Sequence, residues 1–127
     1  MLQTLLVFLG GAFGAAARHG VNLAAARWIG IDFPWGTIVV NVVGSFIMGA
    51  LTAWFAFRSD PFWSQNMRLL ATTGFLGGFT TFSAFSLDAA LMWEKHAFGV
   101  FTAYVLASVG LSILGLFMGL WLVRALT

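Results

Sequence analysis

Four apolar stretches, each near the roughly 20 residues that a helix needs to cross hydrocarbon, leave this 127-residue chain little material for anything else. They run from about Leu2 to Ala26, Phe33 to Phe57, Asn66 to Trp93 and Phe98 to Val123. The short connectors hold most of the charges: Arg27 and Asp32, then Arg58 and Asp60 beside Pro61, then Glu94 and Lys95. Trp28, Trp35, Trp63, Trp93 and Trp121 fall near the span ends, where amphipathic rings settle at a membrane surface. Only 8% of the residues are charged, against about a quarter in a soluble domain. The expectation is a single all-α transmembrane domain of four helices over residues 1–127.

Several function classes drop out. The net charge of +2 and the pI near 10.0 come from very few groups, so nucleic acid is not an expected partner. There is no cysteine, hence no thiol chemistry. His19 and His96 lie far apart in sequence and no nucleophile–base pattern accompanies them, so no enzyme is expected. The first stretch ends in Ala15-Ala16-Ala17, like a signal-peptide cleavage site. No basic residue precedes it, and Gly10 to Gly14 resemble helix-packing residues, so it reads as an uncleaved helix.

Four crossings put both termini on one side. That side carries Arg58, Arg68 and Arg124; the other carries Arg27 and Lys95, with Arg18 if its side chain snorkels outward. Lys/Arg asymmetry sets membrane orientation, and here it nearly vanishes. The balance favours insertion in both directions, and with it an antiparallel homodimer. Small-xxx-small pairs recur at Gly10/Gly14, Ser45/Gly49, Gly74/Gly78 and Gly115/Gly119. They let helices approach closely in lipid, but spacing does not assign the contacts within or between subunits.

The third stretch carries an anomaly. Residues 73–86, TGFLGGFTTFSAFS, mix glycines, hydroxyls and phenylalanines at membrane depth. Gly77-Gly78 followed by Thr80-Thr81 predicts an interrupted helix near Gly77–Thr81. Such a break is tolerated only where the freed backbone meets protein, water or an ion. Two polar stripes accompany it at i, i+4, i+8 spacing: Thr37, Asn41 and Ser45 in the second span, and Tyr104, Ser108 and Ser112 in the fourth. Each stripe reads either as interhelical glue or as the wall of a pathway, since Ser and Thr also bond their own i−4 carbonyl. Beside a broken helix, two stripes favour a pathway. Phe82 and Phe85 share a face just after the break. They read as packing residues, or as ring edges whose positive polarisation faces a small anion. No embedded Lys pair or Arg ring offers another anion site.

The run Gly77-Gly78-Phe79-Thr80-Thr81-Phe82-Ser83-Ala84-Phe85-Ser86 closely resembles the signature of the Fluc (CrcB) fluoride channels. Arg18, Asn41 and the Tyr/Ser stripe extend the likeness along the whole chain. The resemblance implies an antiparallel dual-topology homodimer in the bacterial inner membrane, with two fluoride pores that let cytoplasmic fluoride escape passively. It further implies that Phe82, Ser83 and Phe85 lie on the pathway with Asn41, and that Tyr104, Ser108 and Ser112 form a polar track. Backbone carbonyls of Gly77 and Thr80 from both subunits would hold a structural sodium ion; such carbonyls are reasonable ligands for a hard monovalent cation. Asp88 departs from the family's usual Glu, and its role stays open.

The alternative is a proton-coupled exporter of the small multidrug resistance type, also four-span and often dual in topology. That chemistry needs an embedded carboxylate that exchanges protons with a cationic substrate. The first span has no Asp or Glu, and Asp88 is the only acid well within a span.

Overall fold

In lipid, helices associate through packing rather than through the hydrophobic effect, so the glycines decide how closely these spans approach. A computed structural model describes residues 1–57 and 61–127, without the side chains of residues 61–63. Arg58, Asp60 and the Trp63 side chain therefore lie outside the described residues. All regular structure among the described residues is helical. Helix α1 spans Leu2–Trp28, α2 Trp35–Ala56 and α3 Pro61–Arg68. A π-helical segment, Leu69–Leu76, leads into α4 (Gly77–Phe79), followed by α5 (Phe82–Glu94) and α6 (Phe98–Leu126). Four helical runs are long and apolar enough to cross a membrane: Leu2–Trp28, Trp35–Ala56, Ser64–Glu94 and Phe98–Leu126. Their bounds fall within about a helical turn of those read from the sequence.

The small-residue pairs meet one another inside the chain. A Cβ at Gly10 or Gly14 would run into the main chain of Leu70 or Phe75. One at Gly74 would lie 3.0 Å from the Gly10 Cα, and one at Gly78 2.5 Å from the Gly11 carbonyl oxygen. Helix α1 is thereby seated on the first half of the third span. The second pairing joins α2 to α6, where Gly49 faces the Leu116 carbonyl and Gly119 the Phe46 carbonyl. Gly77 differs: a Cβ there would meet only the Thr72 carbonyl oxygen, at 3.8 Å. Of these two adjacent glycines, Gly78 is the crowded one within this chain.

Helix α2 stands between two apolar clusters. On one side Val40 packs with Leu76 and Phe79, backed by Ala17 and Val21 of α1. On the other, Ile38 packs with Phe85, Ala89 and the fully buried Tyr104. Two connectors close in left-handed caps that return amide hydrogens to the preceding helix. Gly30, at φ +122, donates to the Ala25 carbonyl at 3.0 Å. His96 adopts φ 58, and the Ala97 amide reaches the Met92 carbonyl at 3.0 Å. Trp28, Trp35, Trp93 and Trp121 are all exposed near helix ends.

The backbone leaves helical geometry between α4 and α5. Thr80 (φ −81, ψ 158) and Thr81 (φ −153, ψ 112) are extended, and they bring together most of the residues singled out above.

These contacts predict unequal glycines. Gly14→Ala should destabilise the fold by about 1–3 kcal/mol, because main chain rather than a movable side chain stands in the way. Gly99, with nothing within 4 Å of a built Cβ, should accept alanine at no cost. Thermal unfolding of the two purified variants checks the contrast.

Candidate functional site: a hydroxyl-lined cavity at a helix break

An extended residue inside a bundle must place both its N–H and its C=O, and at Thr81 one side chain accepts and donates to both. The Asn41 side-chain NH2 donates to the Thr81 carbonyl at 3.0 Å, and the Thr81 amide donates to Asn41 Oδ1 at 2.7 Å. Thr81 then starts α5 as its N-cap, its Oγ1 accepting from the Ala84 amide at 3.1 Å. The hydroxyl also lies 3.3 Å from Ser83 Oγ. Thr80 turns the other way: its hydroxyl donates to the Leu76 carbonyl at 2.8 Å, and its methyl occupies the space left by Gly44 of α2.

This arrangement has a consequence for the carbonyls. In a continuous helix the amides of Thr81 and Ala84 would bond the carbonyls of Gly77 and Thr80. Both amides are instead taken by side chains. The Gly77 carbonyl loses its helical donor, and the Thr80 carbonyl keeps only a long contact of 3.5 Å from the Arg18 guanidinium. Two carbonyls outside the helical ladder, with no acidic metal-binding cluster among the described residues, are a donor set that suits a hard monovalent cation.

A cavity of about 280 Å³ opens beside the break. Asn41 and Ser45 of α2 line it together with Thr80, Thr81, Phe82 and Phe85. Helix α6 completes the wall with Ser108 and Ser112, and with Val109 and Ile113 between them. Hydroxyls elsewhere in the helices bond their own preceding turn: Thr52 to Met48, Thr72 to Arg68, Ser86 to Phe82 and Thr102 to Phe98, at 2.6–2.9 Å. Ser108 Oγ and Ser112 Oγ do not. Both are buried, and neither reaches hydrogen-bond geometry with another group among the described residues, although Ser108 stands beside the Tyr104 hydroxyl. A buried hydroxyl without a partner costs about 1–3 kcal/mol, so these two are suited to a guest that accepts hydrogen bonds.

The residues picked from the sequence divide. Asn41, Phe82, Phe85, Ser108 and Ser112 share the cavity wall. Ser83 and Tyr104 do not lie on it. Ser83 faces the Thr81 hydroxyl, whereas Tyr104 is buried behind Phe85, ring centroids 5.3 Å apart. The Tyr104 hydroxyl donates to Asp88 Oδ2 at 2.9 Å, and Thr37 donates to the same oxygen at 3.0 Å. The two phenylalanines also differ, Phe85 being 8% exposed and Phe82 77%. Ser45 appears in the sequence as a stripe member and as half of a small-residue pair, and Thr81 only as part of the break. Gly44, Val109 and Ile113 carried no signal, because which face of a helix meets a cavity depends on the fold.

Ser108→Ala and Ser112→Ala should each leave thermal stability unchanged or slightly raised, since no internal hydrogen bond is lost. Ion flux through the cavity should fall in both. A drop in stability would mean that the hydroxyls act as interhelical glue.

Comparison with known proteins gives a consistent picture. The family described as "CrcB-like protein, Camphor Resistance (CrcB)" matches residues 5–120. The "Fluoride-specific ion channel FluC" of Rhodopseudomonas palustris is 54% identical over 97% of this chain and 98% of its own length. That of a Chelativorans species is 55% identical over 99% of each. "Fluoride-specific ion channel FluC 2" of Nitrobacter hamburgensis is 51% identical over 99% of this chain and 100% of its own length.

Proposed function

Because this chain belongs to the CrcB-like family, we propose that it is a fluoride channel, a multi-pass bacterial membrane protein that passes fluoride down its gradient and is not an enzyme. The observation that carries the reading within the chain is the pair of unpartnered hydroxyls, Ser108 and Ser112, on the wall of the cavity.

A small anion entering hydrocarbon sheds hydration at high cost unless hydrogen-bond donors replace the water. Ser108 and Ser112 can donate without first breaking a bond to the protein. Asn41 spends one of its two N–H groups on Thr81 and retains the other. Phe82 and Phe85, tilted by 50° with centroids 5.5 Å apart, offer ring edges whose positive polarisation favours an anion without adding a mobile charge. Ser83 and Tyr104 belong to the pathway as supporting residues, through Thr81 and through the floor beneath Phe85. The Tyr104 hydroxyl is committed to Asp88, so the track for the anion begins at Ser108.

The carbonyls of Gly77 and Thr80 would hold the sodium ion that the family resemblance implies, and its fixed positive charge would favour an anion nearby. Thr80 would act there through its main chain alone, its hydroxyl being bonded to Leu76. Gly77 is exposed and has room beside it within one chain, which supports ligation shared with a second copy. Two antiparallel copies would then close two pores around one central cation. The near balance of Lys and Arg between the two sides supports the same assembly. Exporter chemistry finds no support: Asp88 accepts from two committed donors and is not on the cavity wall.

Passive flux from proteoliposomes tests the function directly. Fluoride should leave far faster than chloride, at a rate independent of any proton gradient. Phe82→Ile should cut that flux sharply while sparing the stability of the subunit, since this ring is 77% exposed. Near-normal flux in that variant would sink the ring-edge reading. Orientation has its own test. A cysteine introduced into the 94–97 connector should be labelled from both faces of the cell membrane, and two or three added lysines there should bias insertion and lower flux. Labelling from one face only would refute antiparallel assembly.

A further inference from the structure

Asn41 stands on the cavity wall, where a carboxamide would ordinarily be read as a ligand for the ion. Its hydrogen bonds point to a different primary task. An extended residue presents its N–H and C=O toward the same side, as in an antiparallel strand pair, and a primary carboxamide carries a matching acceptor and donor. The geometry is unambiguous, because the Thr81 N–H can only donate and its carbonyl can only accept. At 2.7 and 3.0 Å, both bonds of the pair are formed.

We propose that Asn41 is a positioning residue: it clamps Thr81 in extended conformation and so keeps the third span from closing into a continuous helix. Residues 77–85 would otherwise tend to close. Helix formation adds a backbone bond for each residue fixed, and hydrocarbon penalises any amide left unpaired. Without the Asn41 carboxamide, the Thr81 amide would find its nearest acceptor at the Gly77 carbonyl. Closing that bond would remove the carbonyl from any cation and turn Phe82 and Ser83 about the helix axis. Gly44, one turn further along α2, supports the same conformation by making room for the Thr80 methyl. Helix α2 thus grips both extended residues, and a neutral two-point clamp does so without placing charge in an anion's path. The cation part of this inference rests on the fluoride-channel reading above; the clamp itself does not.

Hydrogen exchange in the full-length protein, followed amide by amide in nanodiscs, tests the clamp. In the wild type the Thr81 amide should exchange as slowly as helical neighbours, and one of the two Asn41 side-chain protons should be slow and the other fast. In Asn41→Leu, which keeps the bulk and loses both bonds, the Phe82 and Ser83 amides at the start of α5 should slow at least about 10-fold as the closing helix gives each a carbonyl four residues back, the size expected for one net hydrogen bond. The sodium concentration that gives half-maximal thermal stabilisation should rise by a similar factor. Ser108→Ala, on the same cavity but without contact to the break, should leave both readouts at their wild-type values. An Asn41→Leu protein with unchanged Phe82 and Ser83 exchange and unchanged sodium response, but no fluoride flux, would overturn the proposal and make Asn41 a ligand for the anion alone. Should that variant fail to fold, the wild-type pattern decides: fast exchange at Thr81 and at both Asn41 protons would refute the clamp. A wild type whose stability ignores sodium would remove the cation reading, and Phe82 and Ser83 exchange in Asn41→Leu would still decide the clamp.

Discussion

A peptide group that departs from helical geometry inside a membrane has nowhere to hide its dipole, and every unusual feature of this chain follows from meeting that requirement at Thr80 and Thr81. The α helix satisfies its own backbone, so in hydrocarbon it is the default. Departure for two residues takes main-chain groups out of the helical ladder; Asn41 partners the Thr81 amide and carbonyl, and the Thr81 hydroxyl partners the Ala84 amide. The exchange leaves the Gly77 carbonyl without its helical donor and the Thr80 carbonyl with a long contact from Arg18. The break is therefore a transfer of hydrogen bonds from main chain to side chain.

The same accounting separates the hydroxyls. Ser and Thr are tolerated in membrane helices because they can bond the carbonyl four residues back, and Thr52, Thr72, Thr80, Ser86 and Thr102 all do so. A hydroxyl occupied in this way has its proton committed. Ser108 and Ser112 bear the cost of remaining uncommitted, and they are the two that α6 turns toward the cavity. Tyr104, one turn earlier on the same stripe, is committed to Asp88. A single i, i+4, i+8 stripe thus holds one structural and two available donors.

Much of this was legible in the sequence, for physical reasons that differ by residue. The four spans follow from apolar length, which the bilayer fixes. The glycine pairs follow from small-xxx-small spacing, although only the structure assigns Gly10 and Gly14 to Gly74 and Gly78, and Gly49 to Gly119. Gly77-Gly78 announced an irregular backbone, yet composition could not say that Gly78 is the crowded glycine and Gly77 the open one. Asn41, Ser108 and Ser112 were found through periodicity. Their bonding was not, because a stripe records which residues share a face and not which partner meets each one. The 77% and 8% exposures of Phe82 and Phe85 illustrate the same limit: at i, i+3 they share a helix face, and the neighbouring helix covers one ring alone.

The stripe on α2 carries that argument furthest. Thr37, Asn41 and Ser45 stand one above another, and each meets a different part of the site. Thr37 shares the Asp88 carboxylate with Tyr104, Asn41 pairs with Thr81, and Ser45 reaches the cavity. A rotation or slide of α2 would disturb all three together. It would also press Gly49 into the Leu116 carbonyl, where no space remains. Helix α2 is thus locked to α6 by glycine contact and to the break by a carboxamide, and the cavity lies between those two attachments. In a channel whose guest is a small, strongly hydrated anion, donors must be fixed in place before it arrives, since reorientation inside a low-dielectric site would add to the cost of entry. The close glycine seams supply that fixity, which is why so much of a short chain is spent on residues without side chains.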